Sequence, residues 1–349
     1  MRQKYAAFVV LAFFACVWCA AAQDKTTDET IKVRTDLVSV PTIVSDHDGR
    51  YISNLTASDF AIFQDGVQQN IDFFAATEEP ITIALLIDTS QSTRPVLDDI
   101  KKSAQSFIKL LVPRDRAMIV CFDYDTHILS PLTGDQEQLK DAIKQAEIPP
   151  RGMFGTTLRD AVYETVTRSF AGLTGRKAII VLTDGKDHGS RIASGELLYK
   201  LQETDTLIYT VFFKTDAGMG MNRFPRGSGI PGRGVIGFPG SRGGRFPGGG
   251  RFPGGRDNSR RQTRIEEQNQ AAQEFLQKLS EITAGRFYSS KNGKLKDTFG
   301  LIVDELRFQY RLGFYPPEET DGRKMHELKV KIARPETVVR SRQSYRRQN

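Results

Sequence analysis

Four short stretches of this chain are apolar almost without interruption: Ile81-Thr-Ile-Ala-Leu-Leu-Ile87, Met118-Ile-Val-Cys-Phe122, Ala178-Ile-Ile-Val-Leu182 and Leu207-Ile-Tyr-Thr-Val-Phe-Phe213. A strand with one wet face alternates, so such runs mark strands buried on both faces, as in a parallel sheet covered by helices. Helical patterns separate them. Leu97, Ile100, Ala104, Phe107 and Leu111 recur at helical spacing, and similar patterns cover 136–146, 158–170 and 194–203. Shorter strands are expected at 127–132 and 286–289, and helices at 263–283 and 295–306. This alternation predicts an α/β fold: a doubly wound, mostly parallel, six-stranded sheet spanning 81–306.

The flanks read differently. In 31–78, Ile31-Lys-Val-Arg-Thr-Asp-Leu-Val-Ser-Val40 alternates in part, and Thr42-Ile-Val44 precedes the turn Asp46-His-Asp-Gly49. Phe60-Ala-Ile-Phe63 and Ile71-Asp-Phe-Phe74 flank Asp65-Gly66, a hairpin signal. Strand patterns return in 308–345. Neither flank holds enough strands for a two-layer unit of its own. The two are therefore expected to pair into a small β-sandwich from which the α/β domain is inserted; two separate β extensions are the alternative.

Composition enters at three points. At 39% hydrophobic and 26% charged residues the chain is an ordinary globular protein. Three cysteines exclude a disulfide-built scaffold, and four histidines argue against a histidine-rich metal centre. The formal charge of +7 suggests an acidic partner until it is located: 217–261 holds nine Arg, one acid and fifteen of the thirty glycines. That segment supplies the whole excess. With its near-repeat Gly-Arg-Phe-Pro-Gly-Gly at 244–249 and 250–255, it reads as a disordered insertion at 217–262 within the α/β domain.

Arg2 and Lys4 precede an apolar run to Ala21, and Ala20-Ala-Ala22 gives way to Gln23-Asp24. This is the pattern of a secretory signal peptide over 1–22, short for a membrane span. Export to the periplasm or beyond is expected, with attachment to the envelope as a variant. Cleavage after Ala22 would remove Cys16 and Cys19 and leave Cys121, a buried, inert thiol within an apolar run. Asn54-Leu-Thr56 fits a glycosylation sequon, a match of high chance rate.

The chemistry gathers at strand ends. Asp88-Thr-Ser90-Gln-Ser92 follows the first buried run, Thr183-Asp184-Gly185 follows the third, and Gly155-Thr156-Thr157 precedes a helix. Ligands of open α/β sheets bind beyond the carboxyl ends of the strands, where strand order reverses. If the two strands are neighbours there, Asp88 and Asp184 share one crevice with the hydroxyls of Ser90, Ser92 and Thr156. An all-oxygen set of this kind suits a hard divalent cation: Mg2+ first, Mn2+ second.

Asp88-x-Ser90-x-Ser92, Gly155-Thr156 and Thr183-Asp184-Gly185, in that order on this alternation, resemble the von Willebrand factor type A domain over about 81–305. The resemblance implies a metal-ion-dependent adhesion site with Asp88, Ser90, Ser92 and Thr156 as ligands and Asp184 as a direct or water-mediated one. Phe154 departs from the family, which often has a further glycine there. The flanks, with Phe60-Ala-Ile-Phe-Gln-Asp-Gly and Tyr310-Arg-Leu-Gly-Phe-Tyr315, are similar to exported bacterial proteins related to that family.

These residues predict a binding module, not an enzyme, whose cation accepts an exposed Asp or Glu of a protein or extracellular-matrix partner. No P-loop, G-x-S-x-G or H-E-x-x-H pattern occurs, no C-x-x-C pattern occurs beyond the leader that holds Cys16 and Cys19, and His188 reads as a polar loop residue. A phosphoryl-transfer enzyme with Asp88 as nucleophile is the second reading; it needs a well-placed lysine or further acids. A third is binding of nucleic acid or another anionic polymer through the Arg/Gly insertion, where Phe224, Phe238, Phe246 and Phe252 could stack on bases. Export argues against nucleic acid, and helix capping is the plain alternative for Asp88 and Ser90.

Overall fold

The computed structural model describes residues 37–76, 79–150, 152–215, 256–290, 295–317 and 324–346. The leader at 1–22, residues 31–36 and most of the Gly/Pro/Arg insertion lie outside the described residues. The first strands are β1 (Val38–Asp46), β2 (Phe60–Gln64), β3 (Val67–Gln69) and β4 (Phe73–Ala75). The α/β part follows as β5 (Ile81–Asp88), α1 (Leu97–Ile108), β6 (Arg116–Phe122), β7 (Thr126–Thr133), α2 (Gln136–Lys144) and α3 (Leu158–Glu164). It continues through β8 (Arg176–Thr183), α4 (Ser194–Leu201), β9 (Leu207–Phe212), α5 (Arg256–Ile282), β10 (Phe287–Ser289) and α6 (Leu295–Arg307). Then come β11 (Tyr310–Phe314), β12 (His326–Ile332), β13 (Thr337–Ser341) and β14 (Ser344–Tyr345).

The central sheet has six strands in the order β10-β9-β8-β5-β6-β7, all parallel except edge strand β7. Because β5 pairs with β6 on one side and β8 on the other, strand order reverses at β5. Successive side chains leave a strand on opposite faces, and β5 feeds two cores accordingly. Ile83, Leu85 and Ile87 pack with Phe107 of α1, Leu139 of α2 and Phe299 of α6. Ala84 and Leu86 pack with Leu158 of α3, Leu197 of α4 and Leu276 of α5. All eight residues of β5 are buried, as its unbroken apolar run demands.

The flanks form two four-stranded antiparallel sheets, β13-β1-β11-β4 and β14-β12-β2-β3, and each draws strands from both ends of the chain. Val40, Ile62, Tyr310, Phe314, Leu328 and Tyr345 fill the core between them. The shared small unit expected from the flanks is thus present, with the α/β domain inserted between β4 and β11.

Three expectations shift. The hairpin partner of β2 is Val67–Gln69, not 71–74: Asp65 and Gly66 adopt φ of 49° and 83°, and this two-residue turn pairs Gln64 directly with Val67. Phe73–Ala75 instead joins the other sheet. Helix α5 begins at Arg256, inside the segment assigned to the insertion, because glycine stops at Gly255 and helix-compatible residues follow. Helix 158–170 is α-helical only to Glu164 and ends in a π turn, Thr165–Ser169, where the Thr165 hydroxyl donates to the Ala161 carbonyl at 2.7 Å.

Candidate metal centre

The reversal point places the ends of β5 and β8 side by side, with Ile87 opposite Leu182. Asp88 and Thr183 are the next residues, and the Thr183 hydroxyl donates to Asp88 Oδ2 at 2.5 Å. Asp88 Oδ1 accepts the backbone N–H of Ser90 at 2.9 Å. The turn after β5 is drawn tight by Thr93, whose hydroxyl reaches the carbonyls of Asp88 and Ser90, each at 2.9 Å. The Ser90 and Ser92 hydroxyls lie 3.0 Å apart, and Ser90 makes no side-chain capping bond to the short helical turn that follows it. Helix capping therefore does not account for these serines.

Neighbouring loops are tied to the same edge. Asp123, just past β6, accepts the Thr89 hydroxyl on its carboxylate at 3.1 Å and the Thr157 N–H on its carbonyl at 2.8 Å. The carbonyl of Thr156 accepts the N–H groups of His188 and Gly189, both at 3.1 Å, joining the loop before α3 to the loop after β8. Gly155 is required by close approach: a Cβ there would sit 3.0 Å from Cα of Tyr124. Gly185 turns with φ +73° beneath α5, where a Cβ would meet that of Ala272 at 2.9 Å. Phe154 points outward, 76% exposed, and leaves the buried Thr156 in place.

All five sequence-selected residues thus stand at one edge of the sheet, though in different company. Asp88, Ser90 and Ser92 form one hydrogen-bonded string. Asp184 is fully buried, and its carboxylate is already engaged: Oδ2 accepts the Lys186 ammonium at 2.8 Å and the Thr215 hydroxyl at 2.6 Å, and Oδ1 the Lys186 N–H at 3.2 Å. Burial, and next the negative charge of Asp184, push the Asp88 carboxyl well above the usual carboxylate range, to about 7. The two acids therefore feel each other, and Asp88 makes no ion pair among the described residues.

Sequence reasoning missed Lys186 and Thr215, and it quoted Thr183 within Thr183-Asp184-Gly185 without giving it the role of donor to Asp88. Thr215 carries no pattern, since it reaches Asp184 only through the fold. Lys186 had a legible signal: a cation two residues past a strand-end acid, across a glycine turn. Among the described residues no group of three or more His, Cys, Asp or Glu side chains gathers to hold a metal. A cation at this edge would rest on two carboxylates and several hydroxyls, which suits oxygen-seeking Mg2+ or Mn2+. Cys121 is 3% exposed, and burial pushes its thiol up to about 12, so it is inert. His188 is an exposed loop residue on the rim of a cavity of about 300 Å³.

Residues 83–186, which hold Asp88, Ser90, Ser92, Thr156 and Asp184, match the von Willebrand factor type A domain. The chain carries a von Willebrand factor type A domain. Domains of this family are protein-interaction modules. Among solved structures, the chain is similar to an aerotolerance-related membrane protein from Bacteroides fragilis, at 18% identity and TM-score 0.43, covering 65% of this chain and 98% of that one. It is similar to the conserved hypothetical protein BatB from Bacteroides thetaiotaomicron, at 20% identity and TM-score 0.41, covering 65% and 98%. It also resembles proximal thread matrix protein 1 from the mussel byssus, solved with a zinc-occupied metal-ion-dependent adhesion motif, at 14% identity and TM-score 0.43, covering 67% and 47%. No curated protein sequence matches the chain. No helix among the described residues is long and apolar enough to cross a membrane.

Proposed function

We propose that this protein is an exported, cation-dependent binding module. Asp88, Ser90, Ser92, Thr156 and Asp184 hold a divalent cation, Mg2+ or Mn2+, and the cation engages an Asp or Glu of a protein partner. The observation that carries the proposal is Asp88, a fully buried carboxylate beside a second acid and with no Lys, Arg or His paired to it among the described residues. A buried unpaired charge is costly and is kept where something charged binds. A bound divalent ion supplies the missing positive charge and an exchangeable position for a partner's carboxylate. The protein's part is positioning: Thr183 and the Ser90 N–H fix the Asp88 oxygens, and Thr93 holds the turn that presents the two serines. Exposed Met153 and Phe154, directly before Gly155-Thr156, give that edge apolar surface of the kind a protein partner covers.

Phosphoryl transfer is the weaker reading. Its lysine exists, but Lys186 is committed to Asp184 and Thr215, and both oxygens of Asp88 already accept hydrogen bonds. The test is calorimetric titration of the chelator-treated chain with MgCl2 and MnCl2, beside Asp88→Asn and Ser90→Ala. Saturable one-site binding that both substitutions weaken is the expected result. Silence with both metals removes the cation from the proposal. Export over 1–22 is checked by cell fractionation, where a full-length product confined to the cytoplasm overturns it.

A further inference from the structure

Lys186 is an unusual neighbour for a cation site. Its side chain is 8% exposed, and burying an ammonium is costly unless a counter-charge and hydrogen bonds replace its water. Both are present: Nζ donates to Asp184 Oδ2 and to the Thr215 hydroxyl, each at 2.8 Å, and that hydroxyl donates to the same Oδ2 at 2.6 Å. The closed triangle of ammonium, hydroxyl and carboxylate fixes Asp184. Asp88, at the end of the adjacent strand, has no such arrangement. The buried ammonium therefore serves Asp184 and leaves Asp88 without an ion pair among the described residues.

We propose that Lys186 is a tethered cation that competes with the divalent ion for Asp184. In the metal-free protein it neutralises that carboxylate and keeps the strand ends together. On metal binding it gives up Oδ2, so that Asp184 can turn to the ion. This deepens the proposed function and rests on it: the lysine sets how much divalent cation is needed before the site fills. The ammonium has somewhere to go. Lys186 also lines the cavity of about 300 Å³ that opens beside it between α5 and the loop after β8, together with Asp187, Gln268 and Phe275. A four-carbon stem lets the charge swing there without backbone movement. The exchange is of ion pairs alone and needs no proton or other reactant.

The full chain, stripped with chelator and held at one pH, is titrated with MgCl2 and MnCl2 by calorimetry as wild type, Lys186→Met and Lys186→Arg. Its melting is followed in EDTA and in excess Mg2+. The expected result for Lys186→Met is Mg2+ binding tightened about tenfold or more, with a melting temperature several degrees below wild type in EDTA that Mg2+ restores. Lys186→Arg, which keeps the charge, stays within a few-fold of wild type. Should Lys186→Met fail to fold, Lys186→Gln keeps a hydrogen-bond donor, removes the charge and is expected to tighten binding in the same direction. Equal or weaker Mg2+ affinity in the neutral variant overturns the competition while leaving the metal reading intact. Silence of wild type and variants toward both metals overturns both.

Discussion

Two of the acids buried among the described residues, Glu305 and Asp88, are furnished in opposite ways. Glu305 of α6, fully buried, is saturated by protein: it accepts the hydroxyls of Tyr209 at 2.7 Å and Tyr51 at 3.2 Å, and pairs with Arg286 at 3.1 Å and with Arg340. Those partners come from the central sheet, from its far edge and from the β flanks, so the cluster fastens the α/β domain to the small β unit. Asp88, equally buried, has two neutral hydrogen-bond donors and a second acid nearby. An acid whose charge is answered from within is a fastener. One whose charge is left open is kept for something that comes from outside.

The sharpest break of this contrast is Glu305→Leu. It leaves the largely buried Arg340 without its counter-charge and two tyrosine hydroxyls without their acceptor, so a loss of about 3–5 kcal/mol is expected in denaturant unfolding. Mg2+ binding by whatever remains folded should be unchanged. Asp88→Asn should do the reverse. Removing a buried, unanswered charge is expected to leave the metal-free protein as stable as before, or more stable by on the order of 1–3 kcal/mol, while sharply weakening Mg2+ binding. If Asp88→Asn destabilises as much as Glu305→Leu, the two acids are alike and the contrast fails.

The pH dependence of stability separates them next. Asp88 titrates near 7 in the folded chain against an ordinary 3.8, chiefly because it is buried and then because Asp184 is negative. Between those values the folded state holds a proton that the unfolded state has released, so stability contributed by this group falls as pH rises from about 4 to about 7. Unfolding in EDTA should show the decline. Saturating Mg2+ should flatten it, because the metal binds the ionised form and releases the proton. A decline of the same size with and without Mg2+, or none in EDTA, sinks the assignment.

The fastener was invisible in the sequence, and the open site was not. Asp88-x-Ser90-x-Ser92 and Thr183-Asp184 announce themselves because short polar residues abruptly end fully apolar strands, and β5 and β8 could be read as strands from that apolarity alone. Glu305 sits within an ordinary amphipathic helix, and its partners Tyr51, just past the first turn, and Arg340, in a tail strand, are remote in the chain, so only the fold assembles them. The same limit hid Thr215 behind Asp184. The turn at Asp65-Gly66 was legible, but its exact partner strand depended on the register that a two-residue loop imposes.

The gentlest test removes one hydroxyl. Tyr51→Phe deletes the longer hydrogen bond to Glu305 while its ring still stacks on Phe308, centroids 5.5 Å apart. Burial, and next the charge of Glu305, push the Tyr51 phenol up to about 12, so at neutral pH it is a neutral donor and its loss changes no charge. Glu305 keeps Tyr209 and both arginines. A saturated acid should forgive one missing donor, at about 0.5–1 kcal/mol in denaturant unfolding and with Mg2+ binding unmoved. A drop of several kcal/mol would mean that Glu305 was never saturated, and that it too is an acid short of a partner.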